Sequence, residues 1–326
     1  MGGGRWDDER YRSLRATRAS VGKAKGLVGA AVDFTYTSTR EAQVEKKVHP
    51  NLDPLRINRK PFGKLESRDS VEHPESNAIF VCFDVTGSNY ERAVEAQKRL
   101  PNLMTLLEKY IPDPQVLVAS NDDYNVEPTR SVQISDYESD NRVDDHIRNI
   151  ILVKNGGGNM GESYDLMLYA AARKTVLDCM EVRQKKGYLF MYADEPFFDQ
   201  VDSDQVKSVF GDDISKDIPI KTIIQEAQEL YNIFIIWPDG GYIEARNQYQ
   251  KLFGKENVLT LQDPNLICEL IGSVVGINEE KLATGNDAVN DLVATGMTAK
   301  EAKELVKVAG KTRRKFKFDD EDAVSA

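Results

Sequence analysis

The stretch that decides the fold is AIFVCFDVTGSNYERAV, Ala78 to Val94. Ile79 to Phe83 are apolar without a break, and then come Asp84, Thr86 and Ser88 at two-residue spacing around Gly87. A half-exposed strand would alternate apolar with polar, so an unbroken run bounded by a turn reads as a strand covered on both faces. A carboxylate and two hydroxyls on one glycine-bearing turn bring three hard oxygens toward one point, a donor set that suits Mg²⁺.

Working outward, similar apolar runs recur at Val116 to Ala119, Tyr188 to Tyr192, Ile233 to Trp237 and Val258 to Leu261, with an alternating edge candidate at Ser131 to Ser135. Amphipathic stretches separate them: Glu91 to Tyr110, Ser163 to Glu181, Ile220 to Leu230, Tyr242 to Phe253 and Asn265 to Val275. Strands alternating with helices predict an α/β class: a doubly wound, mostly parallel, Rossmann-like sheet with helices on both faces. In such a sheet ligands bind outside the carboxyl ends of the strands, near the point where strand order reverses.

Acids stand at several of those ends. GYLFMYADEPFF runs into Asp194 and Glu195, VLVASNDD into Asp122 and Asp123, and IIWPDGG into Asp239. Between the first two lies KNGGGNMGESYDL, where Gly156 to Gly158 let a loop approach closely and Asn159 and Glu162 precede a helix. An acid after a strand is commonly a turn former or helix cap; three or four together at one edge point instead to an ion. The metal candidates are Asp84, Thr86, Ser88, Asn159, Glu162 and Asp194, with Asp122, Glu195 and Asp239 as neighbours that support them. For Asp239 a plain Pro-Asp-Gly-Gly turn is the alternative.

FDVTGSN resembles the first motif of von Willebrand factor A domains, Asp-x-Ser/Thr-x-Ser, whose metal-ion-dependent adhesion site also takes a Thr from a later glycine-bearing loop and an Asp after the fourth strand. Asp84, Thr86 and Ser88 match the first motif, GGGN lies where the second is expected, and Asp194 matches the third. The resemblance covers about residues 72 to 277, and LESRDSVEHPESNAIFVCFDVTGS, GGGNMGESYDL and WPDGGYIEARNQY are similar to von Willebrand A-like proteins of bacteria and bacteriophages. It implies one divalent cation, Mg²⁺ first and Ca²⁺ or Mn²⁺ otherwise, whose coordination a partner's Asp or Glu completes. For intracellular members it further implies a AAA+ ATPase or another component of a multiprotein assembly. The departure is the missing Thr: Asn159 stands there, and Glu162 either reaches the ion as a third carboxylate or caps its helix.

The chain of 326 residues carries a net charge of −10, unevenly spread. Residues 1–70 hold 15 Lys or Arg against 9 Asp or Glu, and the remaining 256 hold 28 against 44. A basic arm on an acidic body predicts an arm that lies on its own body or on an acidic neighbour, as in a self-assembling protein; nucleic acid is the alternative the body's field opposes. Residues 71–277 read as the domain itself, 278–310 as a helical extension with a capping box at Thr298 and Glu301, and 311–326 as a flexible charged tail. No apolar run is long enough to span a bilayer, and the N-terminus lacks a signal core, so the expected setting is the cytoplasm, or that of a host cell if the source is viral.

Cys82, Cys179 and Cys268 have no paired spacing, and His49, His73 and His146 stand apart from any nucleophile motif. The triple glycine lacks the Gly-Lys-Ser/Thr of a phosphate loop. A binding module is therefore expected rather than an enzyme, with a metal-dependent phosphoesterase as the enzymatic alternative.

Overall fold

The structure is a computed structural model that describes residues 4–24, 34–85, 94, 95, 98–152 and 161–318. A six-stranded sheet lies at its centre: β1 (Asn77–Asp84), β2 (Pro114–Asn121), β3 (Val132–Ile134), β4 (Gly187–Tyr192), β5 (Tyr231–Pro238) and β6 (Val258–Leu261). Their spatial order is 6-5-4-1-2-3, parallel throughout except for β3, which runs antiparallel on the edge beside β2. Around the sheet lie α1 (Asp8–Ala24), α2 (Leu100–Tyr110), α3 (Arg142–Arg148), α4 (Tyr164–Arg173), α5 (Ser203–Phe210), α6 (Ile220–Leu230), α7 (Ile243–Phe253), α8 (Ile267–Asn278), α9 (Gly285–Ala294) and α10 (Ala299–Ala309). This is the doubly wound α/β architecture the strand and helix pattern predicts.

Alternation along each strand divides the apolar side chains between two cores. Ile79 and Val81 join Phe190 and Phe234 beneath α2 and α8, while Phe80 and Cys82 join Leu189 and Met191 beneath α4 and α6. Both faces are buried, so each such side chain gains about 1.5–3 kcal/mol from leaving water, which is why β1 has no polar position between Asn77 and Asp84.

Strand order reverses between β1 and β4, and Phe83 is level with Tyr192 there. The chain therefore leaves the sheet at Asp84 and at Asp194 side by side, on the edge where doubly wound folds place ligands.

Two expected helices change. The one expected over Ser163 to Glu181 ends at Arg173; Thr175–Leu177 then pairs in parallel with Leu65–Ser67, and Asp178–Glu181 forms a single further turn. β-branched Thr175 and Val176 disfavour helix, and the extended segment at 65–67 offers them a ladder, beginning with the Leu65 N–H on the Lys174 carbonyl at 2.7 Å. Of the helix expected over Glu91 to Tyr110, α2 is the second half; residues 91–93, 96 and 97 lie outside the described residues. Short α5 was not foreseen, although Asp202 caps it with bonds from the N–H groups of Asp204 and Gln205, both at 2.9 Å.

The arm is built into the fold. Trp6, Tyr11, Phe34 and Leu52 belong to the core under α2 and α8, and Ile57 and Leu65 to the opposite one. Its cations lie on acids of the body: Arg5 on Asp113, Arg18 on Asp144, Lys46 on Glu127, and Arg56 and Lys60 on Asp136. At the other terminus α9 and α10 pack on each other and α10 on α8 and β6, each helix opened by a capping box, at Thr284 with Asp287 and at Thr298 with Glu301. Residues 311–318, expected as part of a flexible tail, are held by Phe316 and Phe318 against the core and by the Gly285 N–H on the Lys317 carbonyl at 2.8 Å; 319–326 lie outside the described residues. Among the described residues no helix is long and apolar enough to cross a membrane.

Candidate metal centre at the carboxyl edge of the sheet

Asp84 is the last residue of β1 and is almost completely buried. One hydroxyl organises it. Tyr164, in the first turn of α4, donates to Asp84 Oδ2 at 2.8 Å and accepts the Asp194 N–H at 3.3 Å. A single phenol thus ties the end of β1 to the end of β4 across the switch point. Burial, Asp84, Tyr249, Asp194 and Glu162 together push that phenol well above its usual pKa, so it remains a donor.

Glu162 precedes α4 and is 2 % exposed, yet among the described residues its Oε2 has no hydrogen-bond partner. Burial first, and then Asp84, Asp122, Glu195 and Asp123, push its carboxyl up to about 10. Four like charges converge on one buried group, which is the arrangement a positive ion would relieve. The loop after β2 joins from the other side, where the Tyr124 N–H donates to Ser163 Oγ at 2.9 Å. Asp122 accepts from Arg130 Nε at 3.1 Å and from the Asp123 N–H at 2.8 Å, but burial still raises its carboxyl. Asp123 Oδ2 is buried without a partner.

Glu195 accepts the Gly161 N–H at 2.8 Å, and its carboxyl too is raised, by burial and by Asp194 and Asp123. Gly161 is required there: its φ is +123°, and a Cβ would meet the Phe198 ring at 2.8 Å. Tyr249 from α7 donates to the Glu195 carbonyl, and its own hydroxyl is pushed up by burial and by Asp194, Asp84, Glu195 and Glu162. Asp239 differs from these. It is exposed, its N–H bonds the Leu261 carbonyl at 2.9 Å, and none of the raised groups owes its shift to it. The turn beyond it does reach the site, since a Cβ on Gly241 would meet Trp237 Nε1 at 2.8 Å and Asp194 Cβ at 3.3 Å.

Asp84, Glu162, Asp194, Asp122 and Glu195 therefore belong to one neighbourhood, and Thr86, Ser88 and Asn159 lie outside the described residues. Among the described residues, no three His, Cys, Asp or Glu side chains group closely enough to hold a metal. The donor chemistry fits a hard cation: carboxylate oxygens crowded at one edge, two of them, on Glu162 and Asp123, buried without a partner among the described residues. Tyr164 and Tyr249 went unread in the sequence. The signal was the Tyr two residues after Glu162 in GESYDL, at the start of a helix facing two strand ends.

No protein-family model matches the chain, and no curated protein matches it. Among solved structures it is similar to proximal thread matrix protein 1 from the mussel byssus, with a TM-score of 0.42 and 13% identity over 62% of this chain and 47% of that one. It is also similar to a von Willebrand factor type A protein from Catenulispora acidiphila, at 0.37 and 13% over 62% and 42%. The open conformation of the pilus adhesin SpaC from Lactobacillus rhamnosus GG scores 0.41 at 9% identity over 75% and 31%. The chain spans less than half the length of each. Likeness at this level says nothing of what the chain binds.

Proposed function

We propose that the chain is a protein-interaction module whose carboxyl edge holds one divalent cation, Mg²⁺ first, completed by an Asp or Glu of a partner protein. The observation that carries this reading is the coupling of Asp84 and Asp194 through one tyrosine hydroxyl at the switch point, beside a buried Glu162 oxygen that nothing satisfies. In this reading Asp84, Thr86, Ser88 and Asp194 hold the ion, with Asn159 or Glu162 in place of the missing Thr; the bound ion supplies positive charge and an exchangeable coordination position. Tyr164 positions the two aspartates, and Glu195 and Asp122 set the charge around them.

The resemblance of FDVTGSN to adhesion-site motifs supports the same reading, and points to a AAA+ ATPase or another member of a bacterial or bacteriophage assembly as the partner. Self-assembly or nucleic-acid binding through the arm is less well supported, because Arg5, Arg18, Lys46, Arg56 and Lys60 are spent on the chain's own acids. A metal-dependent phosphoesterase, in which the ion itself would face the scissile phosphate, is less well supported, because the cation beside the site, Arg130, is engaged by Asp122.

Calorimetric titration of Mg²⁺, Mn²⁺ and Ca²⁺ into metal-free protein tests the proposal. Saturable binding of one ion per chain, lost in Asp84→Ala, is expected; heats no larger than dilution for all three ions would remove it.

A further inference from the structure

Two hollows adjoin where α10 meets the end of β6. The larger, of about 800 Å³, runs from Thr260 and Leu261 to α10, and the smaller, of about 340 Å³, continues it along 310–318; Lys307 and Lys311 line both. Arg246, Lys300, Lys307, Lys311, Arg313, Arg314 and Lys317 give this groove seven cations, Arg313 of them paired with Glu280, in a chain whose net charge is −10. Three carboxylates face them, and each is engaged. Glu301 accepts from Thr298 Oγ1 at 2.6 Å, Glu304 from Lys307 at 2.8 Å, and Asp263 from the Asn265 N–H at 3.0 Å. Among the described residues no carboxylate lies within ion-pair distance of Lys300, Lys311 or Arg314. Phe316 and Phe318, partly buried against the core, also line the smaller hollow, Phe318 over Gly285 and with Lys303 Nζ 5.7 Å from its ring centroid.

The groove begins on the same edge of the sheet as the candidate metal centre. Arg246 lies over the Trp237 ring, 5.2 Å from its centroid, and the turn at Gly241 is wedged between Trp237 and Asp194. An extended ligand leaving the centre along the ends of β5 and β6 would enter the cations directly.

From this we infer that the groove docks an acidic peptide segment of a protein partner, continuous with the carboxylate that completes the ion. The inference rests on the proposed function for its first carboxylate and on the groove alone for the others. A peptide fits this groove better than nucleic acid. Its carboxylates can be spaced so that neutral backbone passes Glu301 and Glu304, whereas a phosphate chain is charged at every step and would also meet the acids around Glu162.

The test is fluorescence anisotropy of a labelled eight-residue Asp/Glu peptide with the full chain in Mg²⁺, against an Asn/Gln peptide of equal length and a single-stranded oligonucleotide. Binding of the acidic peptide alone, weakening with salt, is expected. Lys307→Glu with Lys311→Glu, both on the surface, should weaken it by about tenfold or more, and Lys307→Ala with Lys311→Ala by less, with unchanged circular dichroism. Undiminished binding in the charge-reversed variant overturns the groove. Tighter binding of the oligonucleotide overturns the partner class, and binding seen only after removal of residues 319–326 would make the chain's own DDED segment the occupant. The two proposals separate: loss of ion binding in Asp84→Ala tests the ion, whereas peptide binding that survives chelation and falls in the lysine variants upholds the groove and removes only the metal-bound carboxylate from it.

Discussion

The two ends of the central sheet treat the same residue type in opposite ways. At the amino end, Asp113 holds a left-handed backbone with φ of +44° and accepts from Arg5 at 2.9 Å and from the Glu75 N–H at 3.0 Å, with His73 Nδ1 at 3.3 Å. Asp69 beside it is gripped by Arg183 and by the N–H and hydroxyl of Ser76; burial alone would raise its carboxyl, but these partners outweigh it and the pKa falls. At the carboxyl end Glu162, Asp122 and Glu195 are all raised, and oxygens of Glu162 and Asp123 have no partner. Paired acids at one end fasten the arm and the strands. Crowded acids at the other keep few bonds and repel one another, which is the ground on which we propose an ion there.

The sharpest break of this contrast comes from Asp113→Ala. Removing the acceptor loses the bonds from Arg5, His73 and the Glu75 N–H, so urea unfolding should show a loss of about 3 kcal/mol; a loss below about 1 kcal/mol would mean that the amino end is no better fastened than a surface pair.

Asp165, in the first turn of α4, sharpens the contrast because it is buried and poorly bonded but lies away from the crowd. Neither oxygen makes a well-formed hydrogen bond, and burial pushes its carboxyl up to about 8, offset only in part by the N–H groups of Asp165 and Leu166. A raised acid binds its proton more tightly folded than unfolded. Its contribution to stability therefore falls as pH rises from about 4 to about 8 and levels off beyond. Asp165→Asn should match the wild type near pH 4 and exceed it near pH 8 by roughly 1–3 kcal/mol, read from urea midpoints at the two values. Parallel pH profiles for both proteins would show that this acid ionises freely in the fold.

Tyr164→Phe has the smallest expected effect on folding, about 1 kcal/mol, since the packing of the ring is kept. Its effect on ion affinity should be larger, roughly tenfold or more, because Asp84 and Asp194 lose their common tether. Unchanged ion affinity in Tyr164→Phe would mean that the two aspartates hold their positions without it.

Much of this was legible in the sequence, for physical reasons that differ by residue. Asp84 and Asp194 could be read because a strand buried on both faces cannot carry a charge until it ends, so the first acid marks the edge. The long helix expected from Ser163 onward could not be parsed correctly, since the strand at Thr175–Leu177 exists only because Leu65–Ser67 lies beside it, and that partner is remote in the chain. Tyr164 escaped for the same reason: its function is to touch two strand ends at once. The arm's basic charge predicted where its cations lie, whereas the burial of Trp6, Tyr11 and Phe34 depends on contacts that local composition does not encode. The C-terminal run KTRRKFKF reads as a tail by charge, and only the packing of Phe316 and Phe318 turns it into the wall of a groove.

The most direct measurement is anomalous diffraction from crystals soaked in Mn²⁺. One strong peak beside the carboxylates of Asp84 and Asp194, absent from crystals of Asp84→Ala, is the predicted result. Well-diffracting crystals with no peak at that edge, or with peaks only on the surface, would contradict the account.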